Sequence, residues 1–382
     1  MMCAINKKDI PFTVDHVGSF LRPERIKTAR KDFFNGDITK KELRNIEDKE
    51  IEKLIAKEKK VGLHGITDGE FRRTFWHWDF LEHLNGIEGY TAEHGRNQKL
   101  LAQAAPDYHI RVIDRVSFNK DHPFLNDFVF LKEKLGKDEN VIAKTSIPSP
   151  NMILRQELLA NDDTSRIHHI YPDLTDFYHD LAQTYKEAIK AYYEKGCRYL
   201  QFDDTNWAFL ADADKRKELQ ERGINPKKVA RICRDIINEA LVDKPKDLAL
   251  TTHICRGNHA SSWLFSGGYE PIAEELFATN YDGFFLEYDS ERAGNFSPLR
   301  YWNNKDSKIV LGLVTSKFPE LESKEEIKKR IKEATKYVPL ENLSISRQCG
   351  FASSEKGNRL SEQEQWEKIK LLQEVAADVW RI

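Results

Sequence analysis

Short apolar runs alternate along this chain with longer stretches whose apolar residues recur at helical spacing. The runs fall at residues 12–17, 62–67, 141–146, 199–203, 248–254, 283–287, 309–314 and 343–346. Several are near-continuous Val, Ile, Leu and Phe, the pattern of parallel strands buried on both faces. Amphipathic helices are predicted over 173–195, 226–241, 271–278, 324–337 and 361–380. Gly196 follows the first as a helix stop, and Ser361 with Glu364 reads as a capping box opening the last. Strand–helix units repeated this often predict an α/β protein, closed into a (β/α)8 TIM barrel. A ninth strand candidate, 111–116, has polar stretches on either side. The region near residues 84–140 therefore reads as an insertion, a hairpin over the barrel mouth. No internal repeat, low-complexity tract or linker interrupts the pattern, and residues 1–382 read as a single domain.

Polar residues gather just past each apolar run: Gly18-Ser19, Asp68-Gly69-Glu70, Asp203-Asp204, His253-Ile254-Cys255, Glu287-Tyr288-Asp289, Lys317 and Arg347-Gln348-Cys349. In a barrel all strand C-termini open on one face, where residues distant in sequence meet. His253 and Cys255, two apart on a strand, point to one side and offer an imidazole nitrogen and a thiolate to a single ion. Glu287 and Cys349 end later strands and face the same mouth. These separations are unlike the paired short spacings of a zinc finger and describe a site assembled by the fold. A lone His-x-Cys pair is equally compatible with a small buried cysteine. Glu70 and Asp203 are candidates to accept hydrogen bonds from a substrate ammonium or to act as general acid or base. Asp68, Arg72 and Arg73 read as structural ion pairs. Gly18-Ser19 can present backbone N–H groups to a substrate carboxylate, or simply make a tight turn. Cys197 and Cys233 have apolar neighbours in or beside helical segments and read as core.

Composition narrows the classes. With 60 Lys and Arg against 62 Asp and Glu, the formal net charge is -2, so no basic surplus drives binding to nucleic acid or to a membrane surface. No apolar stretch approaches the ~20 residues of a membrane span, and residues 1–9 lack a signal-peptide core. A cytoplasmic location is expected. The five cysteines, Cys3, Cys197, Cys233, Cys255 and Cys349, are odd in number and scattered. They are not a disulfide framework; in a reducing compartment such thiols stay free or bind metal. A free thiol of pKa about 8.5 is mostly protonated at neutral pH, and coordination to zinc ionises it. A thiol-rich zinc site therefore suits transfer of an alkyl group to a bound thiol.

Six segments occur in one family's order: Asp15-His16-Val17-Gly18-Ser19-Phe20, Thr67-Asp68-Gly69-Glu70-Phe71-Arg72-Arg73, Leu200-Gln201-Phe202-Asp203-Asp204, His253-Ile254-Cys255, Phe285-Leu286-Glu287 and Ser346-Arg347-Gln348-Cys349-Gly350. Together the chain resembles the catalytic, C-terminal barrel of the cobalamin-independent methionine synthases, especially their short single-barrel bacterial relatives. The resemblance implies a zinc-bound homocysteine thiolate that accepts a methyl group, giving methionine. It places His253, Cys255, Glu287 and Cys349 on the zinc ligands. Val17, Gly18, Ser19 and Glu70 fall on positions that bind the amino-acid part of homocysteine, and Asp203 on the carboxylate that holds its ammonium. Two positions depart from the family. Lys317 stands where the catalytic histidine would be, as a replacement proton donor, and Arg155-Gln156 stand where the folate-stacking tryptophan would be. Both touch the methyl-donor half of the site, so a methyltetrahydrofolate-type donor and a methylated corrinoid protein both remain open. So do other chemistries on related barrels: alkyl transfer to another thiol, as in coenzyme M transferases; a metal-free lyase of the uroporphyrinogen decarboxylase type; and a non-catalytic zinc-binding barrel.

Overall fold

The computed structural model describes residues 5–91, 108–161 and 163–381. Cys3 lies outside them. Among the described residues the strands, in chain order, are β1 (Gly65–Ile66), β2 (Asn85–Thr91), β3 (Tyr108–Ser117), β4 (Ile142–Pro148), β5 (Tyr199–Asp204), β6 (Ala249–Ile254), β7 (Gly283–Glu287), β8 (Lys308–Val314) and β9 (Leu343–Arg347). Seven of them, β1-β4-β5-β6-β7-β8-β9 in that order, form one parallel sheet, and β2 and β3 form an antiparallel pair. Residues 13–15 take the eighth barrel position. The Asp15 N–H donates to the Ile345 carbonyl at 3.1 Å and the Ile345 N–H to the Thr13 carbonyl at 2.8 Å. On the other side His16 Nε2 donates to the Gly65 carbonyl at 2.7 Å, so this segment joins the last strand to the first. The expected (β/α)8 barrel is present.

The predicted strand at 12–17 survives as a single bridge, Val14 to Ile345. The Asp15 carboxylate explains this: it accepts from the backbone N–H groups of Phe12 at 3.1 Å and His16 at 2.7 Å, which a ladder would otherwise use. Asp15 also holds Lys144 Nζ at 3.0 Å and the Tyr199 hydroxyl at 2.8 Å. Lys144 is fully buried over the rings of Phe285 and Tyr199. This ion pair and the small apolar cluster of Val17, Phe285 and Val310 fill the barrel interior. They give the 15–19 segment a rigid support.

The predicted insertion at 84–140 resolves into two parts. β2 and β3 are the inserted hairpin. Pro123–Leu135 is instead a barrel helix, with Phe124, Leu125, Phe128, Leu131 and Leu135 buried. Its i, i+3/i+4 apolar spacing was readable but lay in the shadow of the hairpin. The other helices fall where expected: Leu174–Glu194 capped by Asp173, Pro226–Leu241, and Glu362–Trp380 with the Ser361–Glu364 capping box. No helix among the described residues is long and apolar enough to cross a membrane.

His122 caps Pro123–Leu135 and yields a pH test. Its Nε2 donates to the Phe80 carbonyl at 3.0 Å, and its Nδ1 accepts from the Phe124 N–H at 3.3 Å. The second proton would destroy the cap and put charge at a helix N-terminus. Burial pushes the imidazole down to about 4. A lowered folded-state pKa means that the unfolded chain takes up the proton first. The stability tied to His122 is therefore complete above pH ~6.5 and is lost as pH falls toward ~4, up to about 3 kcal/mol. His122→Asn keeps an acceptor at the cap but does not titrate. Urea unfolding at pH 7 and pH 4.5 should show wild type losing more stability than the variant. Buried carboxyls with raised values, such as Asp204, act in the opposite sense but equally in both proteins. An unchanged gap between the two proteins would refute the neutral histidine.

Candidate functional site

Strand register assembles the site. In the β5–β6 ladder Asp203 pairs with His253, and in β6–β7 His253 pairs with Phe285. Two residues further on each strand, Cys255 and Glu287 are again level and face the same way. Cys349 follows β9 and closes the ring. The ligand atoms of His253, Cys255, Glu287 and Cys349 all lie within 4.8 Å of one another, and all four residues are buried. The two sulfurs are 3.7 Å apart. Their shared hydrogen bond draws Cys255 well below the ordinary thiol value and holds Cys349 well above it, so two thiolates here need a cation between them.

The donor set fits a metal ion. Both ring nitrogens of His253 lack a hydrogen-bond partner although the residue is 1% exposed. An imidazole buried in that way loses its hydration without return unless something coordinates it. Two sulfurs, one nitrogen and one carboxylate oxygen are a tetrahedral set of the softer kind. All four residues expected from the sequence are brought together.

The residues expected to bind an amino acid begin next to this cluster, where Asp203 pairs with His253. Gln201 Nε2 donates to Asp203 Oδ1 and to the Val17 carbonyl, each at 2.7 Å. Burial pushes the Asp203 carboxyl up to about 7; His253 draws it down and Glu70 pushes it further up. Glu70 is buried, accepts from the Ser146 hydroxyl at 3.1 Å and lies 3.5 Å from Arg73, while its Oε2 is left unsatisfied. Its φ of 59° is the left-handed region, a strained position for a non-glycine residue, and functional sites collect such strain. Asp68 Oδ1 holds the Glu70 N–H at 2.9 Å and Arg22 Nη2 its carbonyl at 2.7 Å. Gly18 stands beside it: a Cβ there would sit 3.9 Å from Glu70 Oε1 and 3.6 Å from Ser146 Oγ. Ser19 is locked to the strand carrying Cys349, since a Cβ on Gly350 would come within 1.9 Å of Ser19 Oγ. Val17, Gly18, Ser19, Glu70 and Asp203 are thus grouped on one side of the cluster. The expected Asp68–arginine pairing is not formed. Arg72 pairs with Asp48 and Asp127, because Asp68 is occupied in capping Glu70.

Lys317 lies near Glu287 and Cys349. It is 1% exposed and its Nζ is 3.1 Å from Asp289 Oδ2. Its charge opposes the upward push of burial on Glu287. Three neighbours were not foreseen from the sequence. Asn258 Nδ2 and the Arg256 N–H donate to Glu287 Oε1, and Arg292 Nη2 to Glu287 Oε2. The signal for Asn258 was present in Cys255-Arg256-Gly257-Asn258: Gly257, at φ +72°, turns the chain so that Asn258 comes back over the cluster. Arg292 had none, being in the short 3-10 turn Glu291–Ala293 after β7.

Comparison with known proteins agrees with the geometry. Residues 164–377 match the family of the cobalamin-independent synthase catalytic domain. The chain is 45% identical to the Bacillus subtilis protein YxjH over 98% of its own length and 96% of the relative's. A candidate vitamin-B12-independent methionine synthase from Listeria monocytogenes superposes with a TM-score of 0.76 at 43% identity, covering 97% of this chain and 98% of that one. A B12-independent methionine synthase from Shewanella has the same fold, with a TM-score of 0.67 at 18% identity over 97% of each chain. On the family match and on these near-full-length relatives, the chain belongs to the cobalamin-independent methionine synthase catalytic-domain family.

Proposed function

We propose that the chain is a single catalytic barrel that holds zinc through His253, Cys255, Glu287 and Cys349 and transfers a methyl group to the sulfur of homocysteine, giving methionine. The observation that carries this reading is the adjacency of a thiol-rich cluster and two buried carboxylates, Asp203 and Glu70, joined at the Asp203–His253 register. When bound, zinc supplies a thiolate from a thiol at neutral pH. The protein supplies selection and position. Asp203 and Glu70 receive the substrate ammonium, and the backbone of Val17, Gly18 and Ser19 receives its carboxylate. An amino-acid thiol uses both halves of this pocket, whereas a coenzyme M-type thiol has no ammonium for Asp203 to hold. The free cysteines fit a reducing, cytoplasmic setting.

The donor we propose is methyltetrahydrofolate-type. Its leaving nitrogen takes a proton as the carbon–nitrogen bond breaks, and we assign that proton to Lys317. A methylated corrinoid leaves with the bonding pair on its metal and takes no proton. A donor panel with zinc-loaded protein and homocysteine, read as methionine, tests both points. Lys317→Met should lower folate-driven turnover by about 100-fold or more, the usual scale for a lost general acid. It should leave methylcobalamin-driven turnover nearly unchanged. Equal loss with both donors would remove Lys317 from proton transfer. No methionine from any donor, with no homocysteine bound, would overturn the reading.

A further inference from the structure

Both oxygens of the Glu287 carboxylate are already taken by the protein. Oε1 accepts from the Arg256 backbone N–H and from Asn258 Nδ2, each at 2.8 Å, and Oε2 accepts from Arg292 Nη2 at 2.9 Å. The rest of the cluster is in the opposite condition: the His253 ring nitrogens have no partner, and the sulfurs lie beside each other. A permanent metal ligand gains from one outer donor that orients it. Three donors, one of them cationic, are a full coordination of a buried carboxylate in their own right. Arg292 is itself held in place. It bonds Asp289 Oδ1 at 2.8 Å, and its guanidinium lies 4.6 Å from the centre of the Trp263 ring. Asp289 in turn holds Lys317.

We infer that Asn258, Arg292 and the Arg256 N–H form a cradle that keeps the Glu287 carboxylate when a substrate thiol takes its place beside His253, Cys255 and Cys349. The inference rests on the proposed metal–thiol reading of the cluster. A carboxylate displaced into a buried site without donors would carry its full desolvation cost and would resist exchange. The cradle removes that cost. Arg292 is a positioning residue, acting on the substrate through Glu287; Asn258 holds Glu287 too, but its Nδ2 also lies 3.8 Å from Cys255 Sγ.

The consequence is a split between two affinities. Arg292→Gln takes the cationic donor from Glu287, which then favours the metal. Zinc should be held as tightly as in wild type or more tightly, and homocysteine more weakly, by about tenfold to a hundredfold, the scale of one charged hydrogen bond. Asn258→Ala should also weaken homocysteine, and Arg292→Lys should recover part of the thiol affinity. Zinc affinity is read by competition with a chromophoric chelator and homocysteine affinity by calorimetry on zinc-loaded protein. In a Glu287→Ala background Arg292→Gln should no longer change homocysteine binding. If Arg292→Gln weakens both affinities together, or if its effect persists without Glu287, the cradle is overturned while the metal–thiol reading stands. Wild-type protein that binds neither zinc nor homocysteine overturns that reading itself.

Discussion

Cys349→Ser should strip the protein of its metal. Wild type is expected to carry about one zinc per chain, and the variant to lose more than about 100-fold in zinc affinity, beyond the 10–100-fold typical of a lost outer-shell partner. Serine keeps the shape of cysteine, but its hydroxyl does not ionise near neutral pH and is a poor partner for zinc. The loss falls on a residue that the geometry makes hard to replace. Cys349 Sγ is 3.7 Å from Cys255 Sγ and 3.9 Å from the Ser353 hydroxyl. Among the described residues no thiol or imidazole beyond His253 and Cys255 joins the cluster to substitute. The control is Cys233→Ser, whose thiol is buried against Asn206 Nδ2 at 3.1 Å, away from the cluster, and which should keep its zinc. Metal content after dialysis against a weak chelator reads both. A Cys349→Ser protein with full zinc would sink the assignment. The barrel should still fold, because the ligands sit at the ends of strands already tied into the sheet and do not nucleate it. The bound metal should nonetheless raise the midpoint of thermal unfolding in wild type and not in the variant.

That His253, Cys255, Glu287 and Cys349 form one set came from the family resemblance; their convergence was legible because each lies at the end of an apolar run, and a parallel barrel gathers such ends on one face. Glu70 and Asp203 were legible for the same reason. The register that sets Asp203 beside His253 was not, since it depends on how β5 and β6 align and not on either sequence alone. The first strand was overread. Its apolar run is real, but the Asp15 carboxylate takes the N–H groups of Phe12 and His16, so the segment pairs through one bridge. The helix Pro123–Leu135 was absorbed into the insertion because a polar hairpin precedes it. Arg292 was invisible because its role is a contact with Glu287 from the short turn after β7, and such geometry leaves no period in the sequence; for Asn258 the only readable signal was the turn at Gly257.

Asp203→Asn should separate homocysteine from simple thiols. Homocysteine affinity is expected to fall by about 100-fold or more, since removing one partner of a buried ion pair typically costs 3–5 kcal/mol. A short alkyl thiol, which has no ammonium, should bind within about twofold of wild type, the scatter of a neutral contact. Zinc content should be unchanged. The substitution is close to isosteric, and an asparagine oxygen can still accept from Gln201 Nε2, now 2.7 Å from Asp203 Oδ1, so the pocket is preserved while its charge is removed. Among the described residues Asp203 has that amide as its side-chain hydrogen-bond partner and forms no direct ion pair. Burial has pushed its carboxyl up to about 7, the state of a buried acid awaiting a positive charge. An ammonium arriving there restores the ionised form and is bound by it. Glu70 differs in having Arg73 at 3.5 Å and the Ser146 hydroxyl at 3.1 Å. Glu70→Gln should therefore weaken homocysteine less than Asp203→Asn does, and part of its effect will come from the arginine left unpaired. Equal loss of both thiols in Asp203→Asn would mean that the carboxylate acts through His253 and the metal, and the amino-acid pocket would have to be given up. No loss of either would remove Asp203 from the site.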